Sequence, residues 1–130
     1  MTTLQADIRY TVPPGPRQVV EARRRAWDLL TCLGVDGYRA DVTEHLVRIL
    51  VDNAVRHAGC DPEVRISVDR TVRVEVYDTD PTPVTFEWPD ESQAGSLWDV
   101  TEDADRYGCE PAESGKRVWF EINARDSGDD

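Results

Sequence analysis

From Val64 to Val68, and again from Val72 to Val76, apolar residues recur at every second position. Val64, Ile66 and Val68 alternate with polar side chains; after Asp69-Arg70-Thr71, Val72, Val74 and Val76 do the same. That period puts successive side chains on opposite faces, so the segment predicts a β-hairpin with one apolar face. Upstream the rhythm changes. Val42, Leu46, Val47, Leu50, Ala54 and Ala58 recur at helical spacing and predict a helix over about 38–58, with Gly59 as its stop. An earlier helix is predicted from Pro16, a residue suited to a first turn, to about Leu33. Val19, Val20, Ala26, Leu29 and Leu30 form its stripe, and Gly34 ends it. Leu4 to Val12 alternates loosely and reads as a strand, with Ile8 and Tyr10 among its buried or half-buried residues. Pro13-Pro14-Gly15-Pro16 breaks it.

Downstream, Thr79 to Ser96 is rich in proline and polar residues and reads as a long loop. A short helix is predicted from Leu97 to about Asp105. Two strands follow, Arg106 to Glu110 and Arg117 to Asn123, joined through Ala112-Glu113-Ser114-Gly115, with Val118, Phe120 and Ile122 on one face. The acidic, small-residue tail 124–130 is expected to be disordered. The order β-α-α-β-β-loop-α-β-β predicts an α+β two-layer sandwich. Its mixed, mainly antiparallel sheet carries helices on one face, in a single domain over 1–123.

Composition narrows the function classes. A chain of 130 residues suits one domain. No apolar run approaches the roughly 20 residues that cross a bilayer, and the N-terminus has no basic-then-apolar secretory pattern. Cys32, Cys60 and Cys109 are few and scattered, which points to a reducing, cytoplasmic setting. They make no zinc pattern with the two histidines. The net charge of -11 repels phosphate, so direct nucleic-acid binding is not expected. It suits a basic protein partner, or solubility alone. Of the 15 basic residues only Lys116 is lysine, a bias read as the imprint of a GC-rich coding genome.

Polar residues occupy two faces that should be apolar. With Leu46 set to zero, at 100° per residue, Leu50 falls at about 40°, Asn53 at about -20° and His57 at about 20°. Asn53 and His57 therefore share the face of Leu46 and Leu50, which should pack on the sheet. Period 2 likewise puts Asp78 on the side of Val72, Val74 and Val76. Both polar groups need partners if buried. A polar cavity between helix and sheet accounts for them jointly. Taken singly, Asn53 reads as a satisfied core amide, Asp78 as a turn cap in Asp78-Thr79-Asp80-Pro81, and His57 as a histidine favoured by a helix C-terminus.

The strings Leu50-Val51-Asp52-Asn53-Ala54-Val55-Arg56-His57-Ala58 and Val72-Arg73-Val74-Glu75-Val76-Tyr77-Asp78 resemble the GHKL ATPase superfamily. The closest likeness is to bacterial anti-sigma-factor serine kinases and histidine-kinase-like ATP-binding domains. Arg106-Tyr107-Gly108 and Lys116 to Glu121 resemble that family's last two strands, so the likeness spans roughly residues 15–123. The resemblance implies a histidine-kinase-like ATPase fold that binds ATP or ADP with Mg²⁺. Asn53 would offer its amide oxygen to the metal. Asp78 would accept a hydrogen bond from the adenine amino group, with Val76 and Ile49 lining the base pocket, and Arg56 could approach phosphate.

Two departures from the family pattern bear on activity. Active kinases of the family carry a general-base Glu where this chain has Ile49, and isoleucine cannot accept a proton. Measured from Asn53, Asp52 lies about 100° away around the helix and Glu44 is opposite, so neither substitutes for it. The family's Gly-Arg-Gly-Leu lid corresponds to Ala94-Gly95-Ser96-Leu97, preceded by the acidic Asp90 and Glu91. Gly95, Ser96 and the N–H groups opening the Leu97 helix remain as anion donors, with a weakened grip on triphosphate.

The resemblance leaves three functions open: a nucleotide-binding regulator that acts by binding a partner such as a sigma factor or its antagonist, an active serine/threonine kinase, and a scaffold without nucleotide. A homodimer is a further expectation from the family, and Trp27, Trp88, Trp98 and Trp119 could serve an interface or the core.

Overall fold

The computed structural model describes residues 6–12, 17–58, 61–87 and 97–124. The elements run β1 (Ala6–Thr11), α1 (Gln18–Cys32), α2 (Gly37–Ala58), β2 (Glu63–Val68), β3 (Thr71–Asp78), α3 (Trp98–Asp103), β4 (Arg106–Ala112) and β5 (Gly115–Asn123). The strands form one sheet in the order β1-β2-β3-β5-β4, and every pairing is antiparallel. α2 packs on β3 and β5, the middle of the sheet, and α1 packs on α2. The molecule is thus an α+β two-layer sandwich with helices on one face, in the predicted element order; the sheet is wholly antiparallel and not mixed, because α1 and α2 together return the chain to the end where β1 finished, with Thr11 opposite Glu63.

The inner rows are those of the sequence. Val64, Ile66 and Val68, then Val72, Val74 and Val76, then Val118, Phe120 and Ile122 are all buried. Leu46, Val47, Leu50, Val51 and Ala54 of α2 close over them. Two expected positions differ. Val20 is 47% exposed, because the buried line of α1 runs through Gln18, Ala22, Ala26 and Leu30. Two residues from Ala22 is about 160° around a helix, so Val20 points away. Ile8 is 39% exposed, since β1 is an edge strand with a neighbour on one side only. Ala124, placed by the sequence in the tail, is buried, and its N–H donates to Arg70 O. Residues 125–130, Trp88 and Cys60 lie outside the described residues.

Backbone chemistry fixes both helix junctions. Gly34 has φ +85°. Its N–H donates to Thr31 O at 3.1 Å, and the Val35 N–H reaches Leu30 O at 3.0 Å, with Val35 buried. This is the Schellman closure, which favours glycine at the left-handed position. Asp36 then caps α2, its Oδ1 accepting from the Arg39 N–H at 2.9 Å. The Arg39 backbone N–H first, and its guanidinium second, hold the Asp36 carboxyl below its ordinary value of 3.8. Arg39 Nε in turn donates to Asn123 O at 2.9 Å, tying the start of α2 to the end of β5.

The far face of the sheet is polar. Glu75, 4% exposed, sits at its centre and accepts from Arg73 and from the Tyr77 hydroxyl. Arg73 also bonds Glu121 and lies over the Trp119 ring, at 4.2 Å from its centroid. The face is therefore stitched by paired charges and an aromatic ring and has no apolar row of its own.

Gly34→Ala is expected to cost about 1 kcal/mol in urea unfolding, because alanine resists positive φ. Gly37→Ala, where a Cβ meets nothing within 4 Å, should be neutral or mildly stabilising. Asp36→Ala should cost about 1 kcal/mol near neutral pH. The native Asp36 pKa is lowered, so the cap contributes fully above the ordinary carboxylate value and fades as pH falls through the lowered one. Urea curves of the two proteins should therefore converge as the pH is taken below 3.8.

Candidate functional site

The ends of α2 decide what its polar residues can reach. Its first turn is tied through Arg39 to Asn123, and Asn123 pairs with Thr71 at the start of β3. Only four residues separate its last residue, Ala58, from Glu63, which pairs with Tyr77 near the end of β3. A helix of 22 residues covers about 33 Å and a strand of eight about 26 Å, so α2 runs the length of β3. The last turns of α2, with Asn53, therefore lie at the same end of the helix–sheet interface as Asp78. Asn53 is half-buried. Val76 is 1% exposed on the inner face, and Ile49 is partly buried against the core.

Asp78 closes the inner row of β3 and is buried. A carboxylate there requires compensation. It comes from Lys116, opposite Asp78 in the β3–β5 register. Lys116 Nζ donates to Asp78 Oδ1 at 3.1 Å and to Asp80 O at 2.9 Å. The two side chains keep only 3% (Lys116) and 2% (Asp78) of their surface. The Asp80 N–H also donates to Asp78 Oδ1 at 2.9 Å, so the turn-cap role expected of Asp78-Thr79-Asp80-Pro81 is present as well. Gly115 makes this meeting possible. A Cβ there would stand 1.9 Å from Asp78 O, so only glycine lets the two backbones approach.

The other candidates divide. Arg56 is exposed and pairs with Asp52 one turn back, at 3.2 Å. Glu44 is bound to Arg23 of α1 at 2.7 Å. Leu97 is 1% exposed in the core, and its N–H already donates to Thr85 O at 3.1 Å. Leu97 thus anchors the loop to the core, and its own amide is committed to Thr85. The His57 side chain, Gly95, Ser96, Asp90 and Glu91 lie outside the described residues. Among the described residues no group of three or more His, Cys, Asp or Glu is gathered for a metal ion. No helix among them is long and apolar enough to cross a membrane.

Two polar residues at this end were not singled out by the sequence. Gln18 is 8% exposed; its Nε2 donates to Val12 O at 3.3 Å and to Asp61 Oδ1 at 3.0 Å, joining the β1–α1 corner to the α2–β2 corner. Lys116 is the other. Its signal was available, because period 2 puts Lys116 on the row of Val118, Phe120 and Ile122, and it is the one lysine of the chain. In comparisons with known proteins, no family model and no curated protein matches this chain.

Lys116→Met leaves the Asp78 carboxylate buried beside no cation and should cost about 3–5 kcal/mol in chemical unfolding. Replacing both partners, Asp78→Leu with Lys116→Met, should restore most of that loss, since an apolar pair of similar volume needs no compensation. Gly115→Ala should be destabilising by about 1–3 kcal/mol, because the clash is with backbone and one strand end must move.

Proposed function

We propose that this chain is a purine-nucleotide-binding regulatory domain of the GHKL type, acting by binding a protein partner, without phosphotransfer. The observation that carries it is a buried carboxylate, Asp78, closing an apolar row at the same end of the interface as Asn53. In this reading Asp78 takes the amino group of the base, Val76 and Ile49 supply the apolar walls, and the Asn53 amide oxygen is the metal ligand. Bound Mg²⁺ would bridge the nucleotide phosphates through hard oxygen ligands. Both Asp78 bonds fall on Oδ1, which leaves Oδ2 as the acceptor for the base.

The same packing supports binding without transfer. Ile49 rests against the core where a general base would stand. The two acids nearest it in the helix are engaged, Glu44 with Arg23 and Asp52 with Arg56. The acidic surface suits a partner with basic contacts, of which a sigma factor or its antagonist is the family expectation, as is a homodimer.

One observation favours a second reading. Lys116 already neutralises Asp78, so the carboxylate is accounted for in a scaffold that holds no nucleotide. A melting experiment separates the two. ATP or ADP with Mg²⁺ at about 100 times Kd should stabilise the native state by about 2.7 kcal/mol, visible as a higher Tm. Asn53→Ala and Asp78→Asn should each abolish most of that shift. No shift with the wild type, or an equal shift in both variants, rejects nucleotide binding at this site. Labelled ATP should leave no phosphate on a serine-bearing partner; stoichiometric transfer would restore the kinase reading.

A further inference from the structure

We propose that Lys116 is a positioning residue for base recognition, holding the Asp78 carboxylate so that Oδ2 alone faces the amino group of a bound purine. The inference rests on the nucleotide reading above and adds a residue and a specificity to it.

A carboxylate has about four acceptor sites, two on each oxygen. On Asp78 the bonds are unevenly shared. Lys116 Nζ reaches Oδ1 at 3.1 Å, and the Asp80 N–H reaches the same oxygen at 2.9 Å. Both bonds that the described residues make to this carboxylate fall on Oδ1. Turning the group about its last side-chain bond would break one of them, so the direction of Oδ2 is set as well. Lys116 is itself held. It is 3% exposed, bonded to Asp80 O at 2.9 Å, and placed opposite Asp78 by the strand register. Gly115, the residue before it, lies close against the Asp78 backbone. The acceptor is therefore oriented before any ligand arrives, which reduces the ordering cost of binding.

Such an acceptor discriminates. An amino group gives Oδ2 a donor, whereas a base lacking one leaves a buried carboxylate oxygen without a partner. Discrimination of this kind depends on Oδ2 staying aimed, and Lys116, together with the Asp80 N–H, aims it.

The test is calorimetric titration of the wild type, Lys116→Met and Lys116→Gln with two Mg²⁺ nucleotides: ATP, and purine riboside triphosphate, which lacks the amino group. The wild type should prefer ATP by about tenfold or more, the worth of a hydrogen bond to a charged acceptor. In Lys116→Met, ATP affinity should fall by about tenfold while the analogue changes little, so that the preference collapses. Lys116→Gln, which keeps a neutral donor, should lie between, and it carries the comparison if the methionine variant does not fold. A purely structural role would weaken both nucleotides in proportion and keep their ratio, which would overturn the proposal. Unchanged or tighter ATP binding by either variant would overturn it too, making Lys116 a bystander or a competitor for Asp78. If the wild type binds neither nucleotide, the functional reading fails first and this inference fails with it.

Discussion

A carboxylate buried at the end of an apolar strand row must be answered by positive charge, and the end of the β3–β5 pairing is arranged around that answer. Asp78 and Lys116 face each other across the β3–β5 pairing, nearly without solvent. Such a pair adds little net stability over an apolar pair of the same size, yet losing one partner is costly. It therefore fits the β3–β5 register found here more than it strengthens the fold. It also explains one lysine in a chain otherwise served by arginine. A compact ammonium on a flexible stem can sit end-on against one carboxylate oxygen and a carbonyl, where a planar guanidinium fork would need more room and more acceptors.

The second constraint is the path of α2. Asp36 and Arg39 fasten its start to the Asn123 end of β5, and the short connection to β2 returns its last turns to the opposite end of the sheet. Sequence-local chemistry, a cap and a short connection, thus decides a long-range fact: Asn53 of α2 and the charged end of β3 lie at the same end of the helix–sheet interface. The functional reading is built on that rim. The far face of the sheet, where Glu75 is ringed by Arg73 and Tyr77 with Arg65 and Arg117 nearby, has its charges paired within the molecule.

Much of this was legible in the residues. Two periods, 2 and 3.6, suffice for six of the eight elements nearly to their ends, while α3 and β4 are too short or too irregular to show one. The inward aim of Asp78 follows from counting along Val72, Val74 and Val76. The same count reaches Lys116 from Val118, Phe120 and Ile122, but nothing local says that Asp78 and Lys116 are opposite. They are 38 residues apart, and strand pairing is a tertiary choice. Val20 and Ile8 depart from the pattern for a related reason: a stripe drawn from hydrophobicity alone cannot tell which neighbour an edge strand or a flanking helix lacks. Gln18 carries no sequence signal because its place depends on Asp61, a partner from another corner of the fold. The identity of the protein partner is not written in any motif, since it depends on a surface and not on a periodicity.

The central claim is that the rim between the last turns of α2 and the end of β3 receives a nucleotide. Backbone amide NMR during titration with Mg-ADP tests it residue by residue. The account expects saturable shifts at Asn53 and from Val76 to Asp80 and at Lys116, with the Arg73–Glu75 stretch of the far face little changed. Spectra that stay the same throughout the titration, or shifts confined to the far face, would contradict it.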